Sequence, residues 1–128
     1  MAAILVIDDD ELVRRTTGAM LVSAGHSADL AANGRLGVEK LKLQHYDAVI
    51  TDILMPDQEG LETVREIRRH DQQLGIVVMS GGHPGSGVDF FAAAMVFGAD
   101  ATLAKPFTRK QLLDCIEMVL RNESARSG

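Results

Sequence analysis

Short apolar runs alternate with longer amphipathic segments along the chain, and this alternation restricts the fold more than any other feature. Five runs are rich in apolar and β-branched residues and too short for helices, which is typical of buried strands. They occupy residues 3–7, 26–31, 47–51, 75–79 and 101–104. Segments with helical spacing of apolar residues follow them, at residues 11–24, 36–43, 58–70, 88–97 and 108–121. The pattern predicts an α/β fold, a flavodoxin-like (βα)5 doubly wound parallel sheet with strand order 2-1-3-4-5.

Several helix boundaries are also marked in the sequence. Gly25 and Gly98 stand where a glycine in the left-handed conformation ends a helix. Asn33 is placed to begin the second helix, and Thr108 with Gln111 three residues later forms a capping-box pattern at the start of the last. We therefore expect the last helix to reach about residue 121, giving a domain at 1–122 and a polar tail at 123–128.

Length, charge and cysteine content exclude several classes of protein. The chain has 128 residues, 46% of them apolar, which suits one domain and not a disordered chain. Its net charge of −5 argues against direct binding of nucleic acid through a broad basic surface. No apolar run is long enough to span a membrane, and no basic leader precedes Asp8. The lone cysteine, Cys115, is expected to be buried and favours a cytoplasmic location.

Polar side chains follow four of the predicted strands. Asp8 and Asp9 end the first, Asp52 the third, Ser80 the fourth and Lys105 the fifth. The carboxyl ends of parallel strands meet at one edge of the sheet, which is where ligands bind in open α/β folds. We therefore expect these five side chains to lie close together.

That combination of groups suits phosphoryl transfer. Three crowded carboxylates repel one another and call for a divalent cation, and Mg²⁺ prefers such oxygen ligands. A carboxylate can also attack phosphorus to form an aspartyl phosphate. A metal, a lysine and a hydroxyl group would then neutralise the charge on the phosphoryl oxygens. Asp52 follows a central strand and is the best candidate for the attacking carboxylate.

Four motifs give the chain its resemblance to a known family. They are ILVIDDDE at 4–11, DAVITDILMPDQEG at 47–60, VVMSGG at 77–82 and GADATLAKPF at 98–107. Together they resemble the response-regulator receiver domain of two-component signalling, in the CheY-like superfamily, over residues 3–121. The resemblance implies that Asp52 is the phospho-acceptor.

The resemblance also implies a metal site and its ligands. Asp9 and Asp52 would bind Mg²⁺ directly, together with the backbone carbonyl of Leu54. Asp8 would act mainly through water.

The remaining site residues take their expected roles from the same resemblance. Ser80 would hydrogen-bond the phosphoryl group and follow it as the switch residue. Lys105 would pair with the phosphoryl oxygens, and a cis peptide bond to Pro106 would hold it in place.

Two positions depart from the family pattern. Thr102 stands where receivers usually carry the aromatic partner of the switch residue, so the ring that swings with that residue in the family is absent here. The loop at 81–87 is rich in glycine and longer than usual. We hypothesise that this loop carries the response in place of the missing ring.

The partners implied are a sensor histidine kinase or histidine phosphotransfer protein and a downstream protein target. The target would bind the face formed by helix four, strand five and helix five, and a homodimer that forms on phosphorylation is left open.

One alternative is a phosphatase-like enzyme with an aspartyl nucleophile, although Leu54 stands where its general acid belongs. Another is a flavodoxin-like electron carrier, but Asp8 and its acidic neighbours would repel a flavin phosphate.

Overall fold

The computed structural model describes residues 1–53, 59–81 and 90–127 of the chain. Strands in these ranges are β1 (Ala3–Ile7), β2 (Ser27–Ala31), β3 (Ala48–Asp52), β4 (Gly75–Ser80) and β5 (Ala101–Ala104). Helices are α1 (Glu11–Ser23), α2 (Gly34–Leu43), α3 (Glu59–His70), α4 (Phe90–Phe97) and α5 (Arg109–Ser127). All strand pairs are parallel and their order is β2-β1-β3-β4-β5, which confirms the predicted flavodoxin-like topology.

The sheet separates two apolar cores. One lies under α2, α3 and α4 and includes Leu5, Val49 and Ile76, while the other lies under α1 and α5 and includes Ile4 and Ile50. Alternate residues of each central strand therefore point into different cores, and β1, β3 and β4 are buried on both faces. This double burial explains why those strands are continuous apolar runs in the sequence. No helix in the described ranges has the length and apolar character needed to cross a bilayer.

The predicted helix caps are present. The side chain of Asn33 accepts a hydrogen bond from Leu36 N at 2.9 Å, and Thr108 and Gln111 bond reciprocally as a capping box. Gly25 and Gly98 have φ of +93° and +118°, values that favour glycine.

The last helix is longer than its sequence predicts. α5 continues to Ser127, so residues 123–127, predicted as a polar tail, are helical. Residues 122–127 contain no proline or glycine and include Glu123, Ala125 and Arg126, which have high helix propensity. A polar sequence with good propensity extends an existing helix although it offers no apolar face to pack.

Arg68 joins three segments at the amino-terminal end of β4. Its guanidinium donates to the carbonyl oxygens of Leu74 and Gly98, both at 2.7 Å, and to that of Asp71 at 3.2 Å. It also pairs with the Asp100 carboxylate at 3.1 Å, and that carboxylate accepts a bond from Ile76 N. The end of α3 is thus tied to the turn between α4 and β5.

Tyr46 is buried beside the edge strand β2. Its hydroxyl donates to Asp29 of β2 at 2.6 Å and accepts a hydrogen bond from Gln44. Burial, reinforced by the bond to the Asp29 carboxylate, raises the pKa of Tyr46 to about 12. The phenol is therefore kept neutral well above the pH at which an exposed tyrosine ionises.

This shift gives a spectroscopic prediction. The chain has one tyrosine and no tryptophan, so the change in absorbance that accompanies phenolate formation reports on Tyr46 alone. We expect phenolate to appear with a midpoint near pH 12 in the folded protein, against the ordinary 10.0 in denaturant. Because the folded-state pKa is raised, its contribution to stability is complete below pH 10 and is lost as the pH rises towards 12. Equal midpoints in the two states would contradict the buried hydrogen bond.

Candidate functional site

The carboxyl edge of the sheet brings the predicted polar residues to neighbouring strand ends. Asp8 follows β1, and Asp52 is the last residue of β3 and the register partner of Met79. Ser80 ends β4 one residue further on and is buried. The backbone N–H of Lys105 donates to the carbonyl of Ser80 at 2.8 Å, which fixes the start of the lysine loop against β4.

Three carboxylates converge at this edge. Asp8, Asp9 and Asp52 each place an oxygen within 4.8 Å of the others. Asp8 and Asp52 are 0% and 5% exposed, whereas Asp9 is exposed. The N–H of Asp10 donates to Asp8 Oδ1 at 2.9 Å and so orients that carboxylate. Buried carboxylates this close together repel strongly unless cations neutralise them.

Lys105, which follows β5 at the same edge of the sheet, supplies one such cation. Its Nζ lies 2.9 Å from Asp8 Oδ2 and 3.4 Å from Asp52 Oδ2. Burial lowers the pKa of the ammonium, but the hydrogen bond to Asp8 and the charge of Asp52 outweigh it, and the net pKa is raised. Lys105 is therefore a permanent positive charge shared between the two buried carboxylates.

Among the described residues, one ammonium faces three carboxylates, so the cluster can accommodate a second cation. The cluster offers carboxylate oxygens, and it is open to solvent on the side of Asp9. Mg²⁺ prefers such a site, because it binds a few carboxylates and keeps several of its water ligands. The residues present therefore fit the expected metal. Leu54, whose carbonyl was predicted as a further ligand, lies outside the described residues.

The other predicted positions have mixed outcomes. The peptide bond between Lys105 and Pro106 is cis, as the resemblance implies. Thr102 is exposed on β5, where its side chain lines a surface cleft and does not pack in the core. Of the loop at 81–87, only Gly81 falls within the described residues.

Arg14 is a site neighbour that the sequence analysis did not identify. Its Nη1 donates to the backbone carbonyl of Asp8 at 2.9 Å, and Asp8 N donates to the carbonyl of Ala31. These bonds fix the β1 end beneath the carboxylates. An arginine on an amphipathic helix gives no sequence signal for such a contact.

Two apolar clefts adjoin this part of the fold. One, of about 440 Å³, borders Lys105 and Gly81 and is lined on α1 by residues that include Leu12, which is 75% exposed. The other, of about 670 Å³, lies between α4, β5 and α5. Its lining includes Met95, Thr102, Cys115 and Met118.

Cys115 is half-buried at the second cleft, which corrects the prediction that it is buried. It lies on the side of α5 that faces the open cleft, beside the exposed Met118. Partial burial raises the pKa of its thiol. The thiol is therefore less reactive than a free cysteine despite its partial exposure.

Comparison with known sequences identifies one family. The response regulator receiver domain profile matches residues 4–117. The response regulator MprA of Mycolicibacterium vanbaalenii is 34% identical over 125 residues, covering 98% of this chain and 53% of the relative. MprA of Mycobacterium leprae is 35% identical over 118 residues, covering 92% and 50%. The chain spans about half the length of these curated relatives.

Solved structures share the architecture over nearly the whole chain. A receiver domain protein from Clostridium thermocellum has a TM-score of 0.88 at 27% identity, with 98% of each chain covered. Chemotaxis protein CheY4 of Vibrio cholerae has a TM-score of 0.83 at 27% identity and covers 93% of this chain and 98% of its own. A CheY-like receiver from Methanospirillum hungatei has a TM-score of 0.89, but its 24% identity bears on the fold alone.

Proposed function

The chain belongs to the response regulator receiver domain family of two-component signalling, and on that premise we propose that Asp52 is its phospho-acceptor. The observation that carries the assignment is the position of Asp52, buried in a cluster of three carboxylates with Lys105 at 3.4 Å. A buried carboxylate beside a fixed cation and two further acids is suited to accept a phosphoryl group as a nucleophile. The family match favours this switch over the phosphatase-like alternative.

The proposed reaction is an in-line displacement on a phosphohistidine of a kinase or phosphotransfer protein. A carboxylate oxygen of Asp52 forms the new bond to phosphorus, and the phosphorus–nitrogen bond breaks with its electron pair leaving on the imidazole. Lys105 is placed to move its hydrogen bond from Asp8 and Asp52 to a phosphoryl oxygen. Ser80, buried at the end of β4, would donate a hydrogen bond from its hydroxyl group to a second phosphoryl oxygen.

Asp9 and Asp52 would hold Mg²⁺ directly and Asp8 mainly through water, and the ion would supply positive charge that neutralises the phosphoryl oxygens. Asp8 is held by Lys105 and by Asp10 N, so the orientation of its carboxylate is already fixed where it would help to hold the ion. Asp9 is exposed and provides the solvent side of the site. Hydrolysis of the aspartyl phosphate then returns Asp52 to its carboxylate and resets the switch.

Output is assigned to the cleft between α4, β5 and α5. Its exposed methionines, Met95 at 47% and Met118 at 40%, give an adaptable apolar surface of the kind that binds protein targets. The cleft is connected to the site through β5, which ends next to Lys105. A downstream protein, or a second copy of the receiver, would bind there after phosphorylation shifts the population of two conformations.

Mass spectrometry of the intact protein tests the proposal. After incubation with acetyl phosphate and Mg²⁺, the protein should gain the mass of one phosphoryl group, and the gain should disappear when EDTA replaces Mg²⁺. Reduction with borohydride followed by peptide mapping should locate the modified residue at Asp52. A protein that gains no phosphoryl mass with Mg²⁺ present would overturn the proposed function.

Lys105→Met separates the two roles proposed for the lysine. Loss of the ammonium that now bonds Asp8 should tighten Mg²⁺ binding at least about tenfold, because a competing cation is removed. It should slow phosphorylation by acetyl phosphate about 10²-fold or more, because a charge on the phosphoryl oxygens is lost.

Calorimetric titration with Mg²⁺ and the rate of mass gain measure the two effects. Lys110→Met is the matched control, since Lys110 is exposed and pairs with Asp114 away from the site. Unchanged Mg²⁺ affinity in Lys105→Met would contradict competition between the lysine and the metal.

A further inference from the structure

A groove crosses the β2 edge of the sheet, on the side away from the proposed output cleft. It has a volume of about 530 Å³ and lies between α1, the end of β2 and α2. Its apolar lining comprises Leu30, Ala31, Ala32, Leu36 and Leu43. Leu43, at the end of α2, is 84% exposed. We call this feature the β2 groove.

Cations surround the apolar lining of the β2 groove. Arg14, Arg15 and Lys40 line it together with one acid, Glu39. Glu39 is already paired with Arg35 at 3.4 Å, and a second exposed pair joins Arg15 to Glu11. Exposed pairs of this kind are weak and exchange readily with an incoming carboxylate. The groove is thus locally basic, although the net charge of the whole chain is −5.

We propose that the β2 groove docks an acidic amphipathic helix of a partner protein. Leucine-like side chains of the helix would cover Leu36 and Leu43, and its carboxylates would pair with Arg15 and Lys40. Apolar anchors flanked by charges complementary to the rim are the features by which grooves recognise amphipathic helices. The charge of the groove, opposite to that of the whole molecule, selects an acidic occupant.

Other occupants fit less well. An anionic membrane would meet the groove's cations but would be repelled by the net negative charge of the whole molecule. The groove is also concave, so a flat bilayer would not reach its apolar lining. A concave, basic and apolar site suits a single helix.

The β2 groove is connected to the phospho-acceptor edge by two hydrogen bonds. Arg14 donates to the carbonyl of Asp8, and Asp8 N donates to the carbonyl of Ala31. A helix seated in the groove would therefore contact residues that are bonded directly to Asp8. The groove is nevertheless separate from the site, and docking does not depend on the phosphorylation chemistry.

The test uses a synthetic acidic helix as a probe. A fluorescent peptide of about 15 residues, long enough to form a marginal helix, carries leucine at helical spacing and glutamate elsewhere. Fluorescence anisotropy should detect binding to the wild-type protein, and amide chemical-shift changes should map to Leu30, Ala32, Leu36 and Leu43. The same peptide with lysine in place of glutamate should not bind.

Charge-reversal variants then locate the interaction. Arg15→Glu combined with Lys40→Glu should weaken binding of the acidic peptide about tenfold or more, since each exposed ion pair contributes a factor of about three and reversal adds repulsion. Arg69→Glu combined with Arg121→Glu changes net charge equally at exposed positions outside the groove, and should leave the affinity unchanged. Leu43→Ser should weaken binding, whereas Val22→Ser, exposed on α1 outside the groove, should not.

Three results would overturn the proposal: no binding, equal weakening by both double variants, or tighter association with phosphatidylglycerol vesicles than with the peptide. Phosphorylation of the Arg15→Glu and Lys40→Glu double variant by acetyl phosphate should equal that of wild type. A failure of the docking proposal is therefore distinguishable from a failure of the proposed phospho-acceptor.

Discussion

An Asp52→Asn variant is expected to fold normally and to lose phosphoryl uptake from acetyl phosphate by at least about 10³-fold, because the amide that replaces the carboxylate is not a nucleophile. Asparagine keeps the size and shape of the buried side chain. It also removes the repulsion between two carboxylates that both lie within reach of Lys105. We therefore expect circular dichroism and thermal unfolding to show an intact fold.

Asp114→Asn is the matched control for that experiment. Asp114 undergoes the same chemical change but lies exposed on α5, paired with Lys110. It should gain one phosphoryl group at the wild-type rate. Uptake by Asp52→Asn at a rate near that of the control would mean that another residue accepts the phosphoryl group, and the assignment of Asp52 would be wrong.

Arg68→Met is expected to destabilise the fold by about 3–5 kcal/mol, since it removes the cation from a largely buried ion pair. The side chains of Arg68 and Asp100 are 18% and 13% exposed. The carbonyls of Leu74 and Gly98 would lose their bonds to Arg68 at the same time. For a domain of this size the loss corresponds to a fall in melting temperature of about 10–20 °C.

The neighbouring arginine provides the control. Arg69 is exposed on the same helix, so Arg69→Met should change stability by no more than about 0.5 kcal/mol. A double-mutant cycle with Asp100→Asn should be non-additive, because part of the cost of Arg68→Met comes from the charge left on Asp100. Equal melting temperatures for the two methionine variants would show that the Arg68 cluster contributes nothing to stability.

The features that could be predicted from the sequence are those encoded locally or by topology. The strand β1 and the capping box at Thr108 depend on adjacent residues, so their patterns are visible without a structure. The convergence of Asp8, Asp52 and Lys105 follows from one further rule, that parallel strands end at a common edge.

The features that were missed depend on tertiary contacts. Arg68 lies in the last turn of a helix, and nothing in the sequence indicates that the carbonyls of Leu74 and Gly98 come together around it. Lys105 Nζ lies closer to Asp8 Oδ2, at 2.9 Å, than to Asp52 Oδ2, at 3.4 Å, and no sequence motif indicates this difference. The half-burial of Cys115 depends on the depth of the cleft beside it, which spacing along a helix does not give.

The arrangement of three carboxylates around Lys105 would set the charge balance of the proposed phosphorylation cycle. Among the described residues, three acids and one ammonium give this cluster a net charge of two negative units, which a divalent ion would balance. Conversion of the Asp52 carboxylate to an acyl phosphate would then add about one negative charge at neutral pH. Under the proposed function, the change passed to the rest of the domain would be a single added charge in a buried position, where electrostatic interactions are strongest.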